Sequence, residues 1–244
     1  MNIMKILSIG NSFSIDAQNY LHAIAHQDKE EISAANLYIG DCTLEIHYRN
    51  MLSQRAAYEY WFNGHNTLLK VSLDDVLLSS NWDVVTLQQG SLRSPDYETY
   101  QPYLGALAEY VRKCVPKAKI VIHQTWAYDK EAPALSKFNF ATPKEMFTKV
   151  EAAYANAAKD INADFILPSG KLLDMLADAG FEKLHRDGYH ASYGVGRYAI
   201  ALLWYAILCK KDVTSNTFND FDEEITPEQV ITIKNCVKKI CESL

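Results

Sequence analysis

Ser12, Asp187 and His190 are the residues of this chain whose types and spacing could carry out acyl transfer. A serine hydroxyl is a poor nucleophile until a base accepts its proton, and the base works better when a carboxylate holds its tautomer. Asp187 and His190 stand three apart in Arg186-Asp187-Gly188-Tyr189-His190, so one loop can carry both base and orienter. Ser12 stands at the other end of the chain, in Ile9-Gly10-Asn11-Ser12-Phe13-Ser14. Each part has a plainer reading: Ser12 could cap a helix, and Asp187-Gly188 could make a turn. Only the joint arrangement points to a serine hydrolase.

For that arrangement to form, the elements around it must bring both ends of the chain together. Ile6-Leu7-Ser8-Ile9 reads as a buried strand, broken by Gly10 and followed by an apolar helical period through Ile15, Leu21, Ile24 and Ala25. Such a strand–turn–helix junction presents a side chain at the carboxyl end of a sheet, where open α/β folds build their sites. Strands are expected at 4–9, 33–39, 82–87, 119–124 and 164–167. Helices are expected at 16–26, 73–79, 100–115, 143–161, 171–179, 193–209 and 227–241, the fourth and last opened by Pro143 and Pro227 after capping threonines. This alternation implies βαβ units and a parallel sheet covered on both faces. Residues 57–71 break it: Tyr58-Glu59-Tyr60-Trp61-Phe62, Asn63-Gly64 and Thr67-Leu68-Leu69-Lys70-Val71 read as a β-hairpin inserted beside the site.

The bulk numbers narrow the function classes. With 244 residues, 48% of them hydrophobic, the chain can form one large α/β domain. A net charge of −6 without a basic stripe gives no electrostatic support for nucleic-acid binding. The longest apolar stretch, residues 198–209, is too short to span a bilayer, so no membrane association is expected. The five scattered cysteines do not read as a disulfide framework or a metal site. Residues 1–5 run straight into the first strand, which reads as cytoplasmic, or as periplasmic or secreted if a leader has been removed. His22 and His26, four apart on a helix, lack a third ligand, and no metal or other cofactor is expected.

Acyl transfer also needs donors aimed at the oxyanion. Gly40, in Ile39-Gly40-Asp41, lets a backbone N–H approach a substrate closely. Gln88, in Leu87-Gln88-Gln89-Gly90-Ser91, has amide donors to give, and Gln89 is the alternative. Tyr48, Trp61, Trp126 and Tyr128 could form an apolar, stacking wall for a sugar; core packing is the competing reading.

Taken together, these blocks resemble the SGNH (GDSL-type) hydrolase superfamily, and within it a bacterial branch usually filed as a family of unknown function. Gly10-Asn11-Ser12-Phe13-Ser14 resembles the first block, whose serine is the nucleophile. Ile39-Gly40-Asp41-Cys42-Thr43-Leu44-Glu45-Ile46-His47 resembles the second, whose glycine donates to the oxyanion. Asp187-Gly188-Tyr189-His190, followed by Gly196-Arg197-Tyr198, resembles the last. The third block departs from the pattern: a Gly-x-Asn-Asp motif is expected where Leu87-Gln88-Gln89-Gly90-Ser91 stands, and Gln88 would replace the asparagine donor.

The resemblance implies a three-layer α/β/α sandwich with a flavodoxin-like parallel sheet of about five strands. It implies an esterase acting on a small acyl ester, with an acetyl group on a carbohydrate as one candidate. Ser12 would attack, His190 would shuttle the proton and Asp187 would orient it, with the N–H groups of Ser12 and Gly40 and the Gln88 amide on the oxyanion. The rivals are a carbohydrate-binding domain that has lost turnover and a flavodoxin-like domain using residues 10–14 as a phosphate cradle. The cradle would not require Asp187 or His190.

Overall fold

The computed structural model describes residues 3–244. In chain order it contains β1 (Met4–Gly10), α1 (Ser12–Gln18), α2 (Leu21–Gln27), β2 (Ile32–Tyr38), α3 (Leu44–Ser53), β3 (Tyr58–Phe62), β4 (His65–Val71), α4 (Leu73–Leu77) and β5 (Val84–Leu87). A short 3-10 turn (Tyr97–Tyr100) precedes α5 (Tyr103–Cys114), β6 (Lys119–Gln124), α6 (Pro133–Lys137), α7 (Pro143–Asp160), β7 (Phe165–Pro168), α8 (Ser169–Asp178), α9 (Val195–Cys209) and α10 (Pro227–Glu242).

The strands form one sheet in the order β4-β3-β2-β1-β5-β6-β7. Its five-strand parallel centre, from β2 to β7, follows the doubly wound order in which the chain reverses direction beside β1. The sheet has seven strands, not five, because the hairpin is not a separate flap. Its first strand pairs antiparallel with β2, Ala35 opposite Phe62 and Leu37 opposite Tyr60, and so extends the sheet at its edge. The Asn63-Gly64 turn has φ of 47° and 83°, both in the left-handed region that a tight hairpin requires. Asn63 is also tied back to β2, its Oδ1 accepting from the Ala34 N–H at 2.9 Å.

The central strands are buried on both faces, which explains their continuous apolar runs. On one side α9 packs against α1, α2, α8 and α10; on the other α5 covers β5 and β6 beside α3, and α7 covers β6 and β7. α9 is apolar almost all round, as a helix in the middle of a layer must be. The stretch expected as one helix at 16–26 is two. It breaks at Asn19-Tyr20, where the Tyr20 hydroxyl is held by the Tyr193 carbonyl at 2.6 Å and by Asp222 at 2.8 Å. α3 was not anticipated, since Glu45, His47, Arg49 and Asn50 interrupt its apolar period. Among the described residues no helix is long and apolar enough to cross a membrane.

Candidate active site

Asn11, not Ser12, caps α1. Its backbone is extended and its Oδ1 accepts from the Phe13 N–H at 3.0 Å, which leaves the Ser12 hydroxyl free. The turn before it requires Gly10: a Cβ there would lie 2.4 Å from Ser14 Oγ and 2.8 Å from Gln88 Oε1. Ser12 Oγ donates to His190 Nε2 at 2.7 Å, and His190 Nδ1 donates to Asp187 Oδ2 at 2.6 Å. The three side chains thus stand in line, 178 residues apart at the widest.

The loop that carries Asp187 and His190 is held from four directions. Asp187 Oδ1 accepts from the His190 N–H at 2.9 Å, closing the loop on itself. Trp126 Nε1 donates to the Tyr189 carbonyl at 2.7 Å, and the Asp129 N–H donates to the Gly188 carbonyl at 2.7 Å. Gly188 takes a φ of 90°, a conformation that a side chain would strain. The fourth hold is Asp16, one turn beyond Ser12 and fully buried. It accepts from Arg186 at 3.0 Å, from Arg197 Nε at 2.8 Å and from the Ala191 N–H at 3.1 Å. Both guanidinium groups also lie 4.7 Å from the centre of the Tyr193 ring. Burial pushes the Asp187 carboxyl up, but hydrogen bonds from the His190 ring and backbone outweigh it and hold the group below its ordinary value.

The structure revises the expected role of Gln88. Its side chain is 1% exposed, and its Nε2 donates at 2.8 Å to Asn11 Oδ1. Its Oε1 in turn accepts from His123 Nδ1 at 2.8 Å. The orientation follows from the backbone: the Phe13 N–H must meet an oxygen, so Asn11 presents Oδ1 and Gln88 must answer with its nitrogen. Asn11 Nδ2 then donates to the Cys42 carbonyl at 3.2 Å, in the turn that begins at Gly40. Gln88 is therefore a buried link that orients Asn11, not an amide open to a substrate. Gln89 is committed as well, its Oε1 accepting from the N–H groups of Leu44 and Gly90, both at 2.9 Å, and its Nε2 donating to Thr99. Gly40 is exposed at the end of β2, and a Cβ on it would lie 3.4 Å from the Tyr38 hydroxyl.

The four aromatics do not form one wall. Trp126 and Tyr128 are 1% and 2% exposed, so a sugar cannot stack on them. Trp126 instead stacks at 4.3 Å on Phe13, and Tyr128 lies 5.8 Å from Tyr189, so both support the site from beneath. Tyr48 packs at 5.6 Å against Tyr103 of α5. Trp61 stands edge-on to Tyr38 at 6.1 Å, and through Tyr38 it neighbours Gly40. His22 Nδ1 sits 2.7 Å from the Ile32 carbonyl. Asp16, Arg186, Arg197 and Asn11 were given no role from sequence, although Asp16 lies four residues from Ser12 and the other three lie inside the quoted segments.

Comparisons with known proteins identify the family and the fold. The profile of a family described as "Domain of unknown function (DUF4886)" matches residues 5–238. A DUF4886 family protein from Bacteroides uniformis ATCC 8492 is 29% identical, with a TM-score of 0.89 over 98% of this chain and 94% of that one. A member of the lipolytic protein G-D-S-L family from Veillonella parvula DSM 2008 superposes with a TM-score of 0.51 at 13% identity, over 84% and 97% of the two chains. A family 3 carbohydrate esterase from Clostridium thermocellum superposes with a TM-score of 0.50 at 14% identity, over 85% and 97%. No sequence among the curated proteins matches the chain significantly. The fold is that of the SGNH hydrolases.

Proposed function

The chain belongs to the DUF4886 family, and from that premise we propose that it is a serine esterase that cleaves a small acyl ester through an acyl-enzyme. The observation that carries this reading is the line from Asp187 Oδ2 through both ring nitrogens of His190 to Ser12 Oγ, with separations of 2.6 and 2.7 Å. A domain that only bound carbohydrate, or cradled a phosphate, has no use for such a line.

In the proposed cycle Ser12 Oγ attacks the ester carbonyl carbon while its proton passes to His190 Nε2. The carbonyl oxygen becomes an oxyanion, stabilised by the backbone N–H groups of Ser12 and Gly40. His190 then protonates the departing alcohol, leaving the acyl group on Ser12. A water deprotonated by His190 attacks the acyl-enzyme, and His190 returns that proton to Ser12 Oγ as the acid is released. Asp187 holds the ring proton on Nδ1, so that Nε2 can accept a proton at each attack and give it to each leaving group. Tyr38 and Trp61, beside Gly40, would meet the alcohol portion, for which a carbohydrate is the candidate we put first. The fold shared with a carbohydrate esterase supports that choice only by analogy.

The test is a fluorophosphonate probe followed by mass mapping. Labelling confined to Ser12, together with turnover of acetylated sugars or short nitrophenyl esters, is the expected result. A protein that binds sugars but takes no label at Ser12 would support the binding-only reading and overturn this one.

A further inference from the structure

A cavity of about 450 Å³ lies at the carboxyl ends of β5 and β6, between the loops that follow them. Its walls are Leu92, Pro95, Tyr128, Phe138, Phe140 and Met146, so most of its lining is apolar. Leu92 and Phe138 stand at its rim, 48% and 38% exposed. Arg93 and Asp96 also line it.

Two sets of contacts tie the walls of this cavity to the site. Tyr128 donates its hydroxyl to Ser91 Oγ at 2.9 Å, and its ring lies 5.8 Å from that of Tyr189, which in turn lies 4.3 Å from the His190 ring. On the other bank the loop carrying Ser91 abuts the turn after Gly40: a Cβ on Gly90 would lie 3.1 Å from the Cys42 carbonyl and 3.5 Å from that of Asp41. One wall of the cavity, Tyr128, thus packs on the residue preceding the base, and the residue before Ser91 meets the turn of the proposed oxyanion donor.

We propose that this cavity is the acyl pocket of the site, so that the favoured substrate carries a medium-length, unbranched acyl chain in place of acetyl. The inference rests on the esterase reading and goes beyond it by setting the size and character of the acyl group. The volume falls in the range of ordinary small-molecule sites, far more than a methyl group needs. An apolar lining rewards each methylene it removes from water by roughly threefold to fourfold in binding.

The experiment compares kcat/KM for nitrophenyl acetate, butyrate, hexanoate and octanoate, in wild type and in two rim variants, Leu92→Trp and Phe138→Asp. Both positions are exposed, so the variants should fold, and neither residue belongs to the acyl-transfer machinery. Wild type is expected to gain roughly tenfold per pair of methylenes up to hexanoate or octanoate. Each variant is expected to lower the octanoate-to-acetate ratio about tenfold. A wild type that favours acetate, or variants that leave the ratio unchanged, would overturn the pocket while acetate turnover upholds the esterase reading. No turnover on any ester would overturn both.

Discussion

Asp16 and Arg186 form a buried bridge between the two halves of the site: one guanidinium nitrogen of Arg186 lies 3.0 Å from each carboxylate oxygen of Asp16. Asp16 sits on the helix that Ser12 begins, and Arg186 opens the loop that ends in His190. The distance from serine to histidine is therefore set by this pair as much as by the residues that react. Removing one partner of a buried pair leaves the other charge uncompensated, at a cost of about 3–5 kcal/mol. Asp16→Asn should lower stability by that amount in urea denaturation, and lower kcat at least tenfold at temperatures where it is still folded. Wild-type values for both would remove the bridge from any account of the site.

Ser12→Ala should abolish ester turnover and probe labelling while changing stability by less than about 1 kcal/mol. The reason is that Asn11 caps α1 and the serine hydroxyl is bonded to His190. Turnover at the wild-type rate in this variant would sink the mechanism.

Asp187→Asn should lower kcat by roughly a thousandfold or more, because an amide can present its own N–H to the ring and leave the wrong tautomer facing Ser12. The carboxyl is held below its ordinary value of 3.8, so it stays charged, and the loop stays closed on His190, down through that pH. Steady-state rates measured between pH 5 and 8 decide the matter. An unchanged kcat would reduce the arrangement to a Ser12–His190 pair.

Parts of this site were readable one segment at a time, and parts were not. The strands around Ser12 show in the sequence because a buried parallel strand is an unbroken apolar run, as in Ile6-Leu7-Ser8-Ile9. The pairing of Asp187 with His190 shows because both lie in one loop. What did not show depends on contacts between distant segments. Whether Trp126 and Tyr128 face a substrate or the core is decided by the loop of residues 186–190 that closes over them. The direction of the Gln88 amide is decided by Asn11 and His123, 77 and 35 residues away. The two extra strands arise from the pairing of Phe62 with Ala35, which the hairpin's own pattern does not specify.

Gln88→Ala offers a way to tell a positioning role from a direct one. As a link in the chain from His123 to Asn11, its loss leaves buried polar groups unpaired and should cost about 1–3 kcal/mol of stability. It should also lower kcat, as the turn at Ser12 and the turn at Cys42 lose their common tie through Asn11. His123→Ala should reproduce both effects, since it removes the same restraint one step further back. If Gln88→Ala lowered kcat at full stability while His123→Ala did nothing, the amide would be acting on the oxyanion itself.

His123 and His47 make the stability of the fold depend on pH in a calculable direction. Both rings are fully buried, and burial lowers their pKa from 6.5 to about 3. His123 donates through Nδ1 to Gln88, and its Nε2 is without a partner among the described residues, as is that of His47. Neither ring can accept a proton in the folded state without a buried, uncompensated charge, whereas both accept one freely when unfolded. Between pH 6.5 and about 3 the unfolded chain therefore binds more protons at these two sites, and stability falls as the pH falls. Their contribution is whole above pH 6.5 and is lost progressively below it. At full slope each histidine costs about 1.4 kcal/mol per pH unit. Carboxylates add to the raw acid dependence, so the measurement is a difference: urea unfolding of wild type, His47→Leu and His123→Leu at intervals from pH 7 to pH 4. Each variant should lose about 1.4 kcal/mol per unit of slope over the lower part of that range, whatever it costs in absolute stability. Parallel curves would mean that the rings are protonated in the folded state, and the buried link from His123 through Gln88 to the nucleophile turn would have to be redrawn.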